Sequence, residues 1–383
     1  VLGGAYQDFT GGRMYVRPDG RAYSLSGEMY AAHESVNNIS GILGWPKGRS
    51  YQTAEGWRQD FDSGSILQSS VVAAPLSTEF VSLYDRVGGF GQFGAVQTGI
   101  VADQPGSHVA FAGGWLQKSA NGVIFVKGPL GRAYIRQGGS SGPLGYPTGS
   151  EQPLPSGVWT QSFSGGAEYD TGRGVYAVTG FAAALAALGG PDAFGYPSAD
   201  QITVDQRSWQ PFGAVSLGKA TPSGKSYVVR GAIGAAYAAA GAIQSFLGAP
   251  TSGEAGINGG WTQEFEGGRI YCSGYGTYLS PSSVTAIHDQ RGGTAGRLGW
   301  PLSAPAVGTG TASQIFSGGG IFVSSAGAFV AQGSLGAEYI RRGAERSSLG
   351  WPIGNETLSA GLWSQQFQHG TLVLNPDGTF QVR

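Results

Sequence analysis

A phenylalanine followed by a glycine pair, or a near equivalent, returns eight times along the chain: Phe9, Phe61, Phe111, Phe163, Phe212, Phe265, Phe316 and Phe367. The intervals are 52, 50, 52, 49, 53, 51 and 51 residues. A period of this length restricts the chain to stacked or radially arrayed copies of one supersecondary unit, each burying an apolar face on its neighbours. The fullest copy reads Trp261-Thr-Gln-Glu-Phe265-Glu-Gly-Gly-Arg-Ile-Tyr271. The repeat takes up nearly all of the 383 residues and leaves no room for a separate catalytic domain. The expectation is one array, in units of about 1–42, 43–92, 93–142, 143–193, 194–246, 247–297, 298–348 and 349–383.

Within a unit, alternating apolar residues flank turn signals, as in Tyr6-Gln-Asp-Phe9 through Tyr15-Val16, Pro18-Asp19-Gly20 and Ala22-Tyr23-Ser-Leu25. This pattern predicts a hairpin with one further strand, three short strands per unit. The 69 glycines read as turn positions among these strands, because the aromatics recur in register as low-complexity tracts do not. A segment of helix formers such as Gly27-Glu-Met-Tyr30-Ala-Ala-His33 follows, with room for two or three turns before Gly and Pro stop it.

The stop is itself repeated: Leu43-Gly-Trp-Pro46, Leu144-Gly-Tyr-Pro147, Phe194-Gly-Tyr-Pro197, Leu247-Gly-Ala-Pro250, Leu298-Gly-Trp-Pro301 and Leu349-Gly-Trp-Pro352. The third unit departs from it with Phe93-Gly-Ala-Val96. Proline fixes φ and glycine admits conformations closed to other residues, so the motif re-aims the chain. Leu-Gly-aromatic-Pro followed about 18 residues later by Phe-x-Gly-Gly-x-Ile-Tyr resembles the LGFP repeat family of actinobacterial envelope proteins. The resemblance covers almost the whole chain. It implies a non-catalytic array that associates with cell-wall glycan, often appended to an enzyme, and it assigns no binding residue.

Two positions obey a finer rule. Glutamine stands two residues before Phe in seven units (Gln7, Gln59, Gln161, Gln210, Gln263, Gln314 and Gln365), with Val109 in the third. Period two puts it on the face of the Phe, so its amide is expected to pin the neighbouring Gly-Pro turn; presentation to ligand hydroxyls is the alternative. Four residues before Phe, Trp57, Trp159, Trp261 and Trp363 alternate with Ala5, Ser107, Ser208 and Ala312, a spacing of 102 residues between tryptophans. Packing between units is the expected role of these indoles, and binding in four clefts is the alternative. Gly-x-x-Tyr at Tyr30, Tyr134, Tyr237 and Tyr339 follows the same alternation, against helices beginning at Phe80, Phe181 and Val284. The fold expected is all-β with short helices. Its eight three-stranded units form a propeller-like, closed or nearly closed ring with pseudo-four-fold symmetry.

Charged residues are 12% of the chain and the net charge is -1, which removes the electrostatic basis for nucleic-acid binding. No apolar run is long enough to span a bilayer, and the start at Val1-Leu2-Gly3-Gly4, inside a motif, is expected of a processed form. His33, His108, His288 and His369 fall at different places in their units, without metal-ligand spacing or a nucleophile-elbow motif. The single cysteine, Cys272, is expected as a buried thiol inside a strand. Glu151, Asp200, Glu254 and Glu356 follow the Gly-Pro turns, with Glu55 somewhat later, and are expected in turns or ion pairs; convergent pairs could cleave glycosides. Gly88-Gly89-Phe90-Gly91 and Gly318-Gly319-Gly320 lack the Lys-Ser/Thr that phosphate cradling needs and read as turns.

No cofactor and no metal is implied. Nine Trp and 17 Tyr with few charges suit a neutral glycan, whose sugar rings stack on aromatic faces. The aromatics at the third position of the turn, Trp45, Tyr146, Tyr196, Trp300 and Trp351, are the candidate ligand-facing residues, with the covering of neighbouring units as their other role. The expected function is non-catalytic binding of cell-wall or extracellular polysaccharide by a secreted or envelope-associated protein. A structural assembly subunit that binds protein through a ring face, and a glycan-degrading enzyme, are the alternatives.

Overall fold

The computed structural model describes residues 3–221 and 224–383. The chain divides into two compact units, Val1–Ala182 and Ala183–Arg383. Each contains four antiparallel sheets whose strands follow one another in sequence order. The eight sheets occupy residues 5–26, 51–77, 101–127 and 152–179 of the first unit and 202–230, 255–281, 306–332 and 357–382 of the second.

Only the first sheet has three strands; the other seven have four. The three-strand expectation is corrected by short segments that open the sheets, such as Tyr51–Thr53, Ala255–Ile257 and Thr357–Ser359. Ala255–Ile257 pairs with the next strand through Asn258-Gly259, both at positive φ (44° and 83°), the two-residue hairpin geometry that Asn-Gly favours. Three residues are too few to register as alternation, which is why pattern alone missed this strand.

Two glycine positions explain the conserved spacing inside the chain. Gly248 of the turn has φ +66°, a left-handed conformation that disfavours any other residue. Gly268, after Phe265, lies so close to the fourth strand that a Cβ there would sit 2.1 Å from the Ser280 carbonyl oxygen. Pro250 forms a bridge with Phe265, flanked by backbone bonds Thr251 N→Glu264 O, Glu266 N→Ala249 O and Gly267 N→Leu247 O at 2.8–3.0 Å. The two sequence signatures are therefore one structural element: the turn lies as an extra rung along the strand that carries the Phe. Equivalent bridges join Pro46 to Phe61, Pro147 to Phe163, Pro197 to Phe212, Pro301 to Phe316 and Pro352 to Phe367, and Val96 takes the proline's place against Phe111.

Within each unit the cores lie between consecutive sheets, under the helix that joins them. In one, Val229 of the fifth sheet, Ile233 and Tyr237 of helix Gly231–Ala239, Leu247 and Ala249 of the turn, and Phe265 and Ile270 of the sixth sheet pack together. Side chains of this size contribute about 1.5–3 kcal/mol each when fully buried. The glutamines stitch the same seam. Gln263 Nε2 donates to Ser252 O beside the turn and to Val228 O of the preceding sheet, both at 2.9 Å. Gln59, Gln161, Gln314 and Gln365 make the same pair of bonds. The amides thus hold the turn, as expected, and also the neighbouring sheet.

The helices depart from the expected alternation. The seventh residue of the nine-residue helices is Tyr134, Tyr237 or Tyr339, each donating Oη–H to the turn glycine's carbonyl, at Gly145, Gly248 and Gly350 (2.7–2.9 Å). His33 and His288 hold that same position and reach Gly44 O and Gly299 O at 3.0 and 2.8 Å. Tyr30 is one turn earlier in its helix, at the fourth position. Two of the four histidines therefore occupy equivalent places after all. The ring that latches the turn follows no two-unit rule, since His288 does so in the helix between those of Tyr237 and Tyr339, whereas the buried hydroxyl of Tyr84, at the seventh position of Thr78–Arg86, has no partner.

Candidate functional site

The aromatics at the third position of the turn reach back over the preceding sheet. Trp45, only 7% exposed, meets Tyr15 edge to face (6.3 Å, 87°), and a Cβ on Gly4 would collide with its ring at 2.4 Å. Trp300 repeats this on Tyr271 (6.1 Å, 86°) over Gly260. Tyr146 Oη accepts from Gly106 N at 2.9 Å and donates to Asp103 O. Tyr196 donates to Asp192 Oδ1, and Trp351 packs against the core that holds Phe322 and Tyr339. All five rings are buried or half-buried, and each has a neighbour that already uses its face or its hydroxyl.

The 102-residue tryptophans lie differently. Trp57, Trp159, Trp261 and Trp363 remain 45%, 44%, 51% and 45% exposed. Packing alone does not describe them, since half of each indole faces solvent. The physical reason lies along the strand. Trp261, Gln263 and Phe265 share a face, but Phe265 meets the turn at the buried end while Trp261 stands four residues away, beside the short opening strand.

Three of these indoles have matching surroundings. In each, a glutamate four residues after the turn's proline meets the residue preceding the previous helix. Lys127 Nζ lies 3.1 Å from Glu151 and Arg230 Nε 3.2 Å from Glu254, while Gln332 donates its backbone N–H to Glu356 at 3.1 Å. Three of the acids after the turn, Glu151, Glu254 and Glu356, are thus in ion pairs or backbone bonds, as expected. With Trp159, Lys127, Glu151 and Asp170 line a cleft of ≈ 310 Å³ that also takes in Pro129 and Leu130. With Trp363, a cleft of ≈ 470 Å³ is lined by Arg291, Arg297, Gln332, Asn355, Glu356 and Leu374, among others. Burial raises the Glu356 carboxyl, an effect opposed by the N–H of Gln332. At Trp57 the acid is Glu28 of the preceding helix, which accepts from Gln68 Nε2 at 3.0 Å across from the indole.

The other reactive side chains lie apart from these indoles or have partners of their own. Cys272 pairs across the strand with Trp261 and is half-buried, where a fully buried thiol was expected. His33 and His288 are buried, and desolvation holds both below the usual imidazole value. His108 Nδ1 lies 3.2 Å from Asp103, whose carboxylate also accepts from Gln117 and Ser140. Among the described residues no group of His, Cys, Asp and Glu could hold a metal ion, and no helix is long and apolar enough to cross a membrane.

The LGFP repeat model matches residues 247–286, from Leu247-Gly-Ala-Pro250 through the sixth sheet into the following helix. This segment is an LGFP repeat. No curated protein matches the chain. Among solved structures, the chain is similar to a streptogramin B lyase at 10% identity and TM-score 0.13, over 76% of this chain and 83% of that one. PorZ, a surface component of the type-IX secretion system of Porphyromonas gingivalis, gives 11% identity and TM-score 0.15 over 89% and 46%. The extracellular domain of BT4673 from B. thetaiotaomicron gives 8% and 0.12 over 97% and 58%. The chain thus spans about half the length of the latter two. At these TM-scores none of the three carries an argument about fold, ligand or reaction.

Proposed function

We propose that the chain is a non-catalytic, glycan-binding protein of the envelope or extracellular space, with its binding platforms at Trp57, Trp159, Trp261 and Trp363. The observation that carries this reading is the matched exposure of four indoles at one position of every second sheet. An indole left half in water forgoes part of its burial energy, and recurrence of that cost at a fixed spacing supports a repeated ligand contact. Sugar rings stack on the exposed face, and the polar groups at the cleft edge pair with ring hydroxyls. Several weak sites on one chain reinforce each other on a polymer, where each further contact is intramolecular.

The test is retention on purified cell-wall polysaccharide together with a glycan array. Binding of the intact chain, weakened stepwise as Trp57, Trp159, Trp261 and Trp363 are replaced by Ala, supports the reading. Absence of binding to any glycan by folded protein at high concentration overturns it, and capture of a protein partner instead would favour the assembly role.

Glu151 and Asp170 share the Trp159 cleft, and this favours glycoside hydrolysis as the second reading. Release of reducing ends from the bound polysaccharide, abolished in Glu151→Gln, would establish it.

A further inference from the structure

The clefts at Trp159 and Trp363 differ in charge balance, and the difference points to a ligand class. In the Trp159 cleft the cation is consumed: Lys127 is paired with Glu151, and Asp170 adds a second carboxylate. In the Trp363 cleft the position of Lys127 is taken by Gln332, whose backbone holds Glu356. Two guanidiniums enter from elsewhere, Arg291 just past helix Ser282–Gln290 and Arg297 just before the turn Leu298–Pro301.

Both arginines are exposed, and among the described residues neither forms an ion pair. The residue at the place of Arg291 in the next helix, Arg342, is by contrast held by Glu338. The cleft therefore presents two unpaired cations against one carboxylate that already accepts from Gln332. Asn355 uses its Oδ1 on Val330 N at 3.2 Å, which leaves its amide N–H groups to donate. Trp363 and Leu374, opposite each other on adjacent strands, supply the apolar wall.

We infer that the Trp363 cleft binds a carboxylate-bearing sugar residue, its ring on the indole and its carboxylate between Arg291 and Arg297. This inference rests on the glycan-binding reading and specifies it for one site. A planar guanidinium matches a carboxylate in two parallel hydrogen bonds, and such charge-assisted bonds are about twice as strong as neutral ones. A neutral sugar would leave both cations unused, whereas a uronic acid satisfies the stacking wall and the charge together. The exposed cations make this site's binding of an anion weaken with salt.

The experiment measures binding of a uronate-containing oligosaccharide and its carboxyl-reduced counterpart by calorimetry, at low and at moderate salt. The full chain is compared with Trp363→Ala, Trp159→Ala and the pair Arg291→Gln with Arg297→Gln, each checked for unchanged circular dichroism. The expected result is a preference for the uronate of about tenfold or more. That preference falls with salt, disappears in the paired arginine variant and in Trp363→Ala, and survives Trp159→Ala. Equal binding of both oligosaccharides, or a preference untouched by the arginine substitutions, overturns the inference and leaves the glycan-binding reading standing. Binding of neither oligosaccharide counts against that reading itself. Equal capture of polyglutamate through the same arginines overturns the assignment to a sugar.

Discussion

His288 Nε2 lies 2.8 Å from the carbonyl of Gly299, and its Nδ1 lies 3.0 Å from the hydroxyl of Tyr271. A carbonyl can only accept, so Nε2 carries the proton and Nδ1 receives the one from Tyr271. His33 is held identically between Gly44 O and Tyr15. Both imidazoles latch the turn in their neutral form, as the tyrosines do in three other helices.

Neutral latches make stability depend on acid. Burial holds both imidazoles below 6.5, so between 6.5 and the lowered value the unfolded chain binds protons that the folded one refuses. The expected outcome is a loss of stability as pH falls below about 6.5, followed by chemical denaturation at pH 7.5 and pH 5. The double variant His33→Phe, His288→Phe should be less stable at both, by about 1–3 kcal/mol per site, but with a flatter pH dependence. An undiminished slope in the double variant would show that other groups carry it.

Glu168 gives the opposite sign. It lies across the strand from Gln161, fully buried, where the other glutamines face Met14, Ile66, Leu217, Ile270, Ile321 or Leu372. Burial pushes its carboxyl up to about 8 from 4.5, against the hydrogen bond from Gln137. Between those values the folded state keeps a proton that the unfolded chain has lost, so stability falls as pH rises through that window. Glu168→Leu restores the residue type used elsewhere and is expected to stabilise by about 1–3 kcal/mol at pH 7 and above, with a smaller gain at pH 5. A gain that does not change with pH would rule out the titration.

The glutamine seam makes a prediction about a single oxygen. Gln314 Oε1 accepts from Ser280 Oγ at 2.7 Å, whereas the buried Oε1 of Gln365 has no partner. The residue that corresponds to Ser280 at the Gln365 seam is Ala331, one residue after Val330, just as Ser280 follows Leu279. Ala331→Ser should therefore raise the melting temperature, by a contribution of about 1 kcal/mol, and Ser280→Ala should lower it by a similar or larger amount. An Ala331→Ser protein that melts earlier would mean the hydroxyl cannot reach the amide.

What could be read from the sequence was what the backbone dictates. Phe265, Gly248 and Pro250 recur because a bridge, a positive φ and a fixed φ admit few other residues, so spacing alone revealed the unit. Gln263 could be placed because an amide on a core face must find partners. The opening strand escaped because Ala255–Ile257 is three residues long, although Asn258-Gly259 is a hairpin signal in its own right. The latch escaped because His and Tyr are dissimilar letters that present a donor at the same distance from the helix, and Tyr30 offered a closer but misplaced match. The exposure of Trp261 escaped because period two reports the face of a strand and not the depth along it.

Depth also separates the two sets of tryptophans by experiment. Trp300 lies over Gly260 and against Tyr271, so Trp300→Ala opens a cavity in the seam and is expected to cost about 3–5 kcal/mol. Trp261→Ala removes a ring that is half in water and should cost about 1 kcal/mol or less beyond its share of apolar area. Polysaccharide retention should reverse the order: Trp261→Ala loses affinity with little change in melting, while Trp300→Ala, below its own melting temperature, retains it. The pair is measured by differential scanning calorimetry and by retention on an immobilised polysaccharide column. If both substitutions lowered melting and retention in parallel, the exposed indole would be a structural residue like the buried one, and the binding row would have to be sought on another face of the sheets.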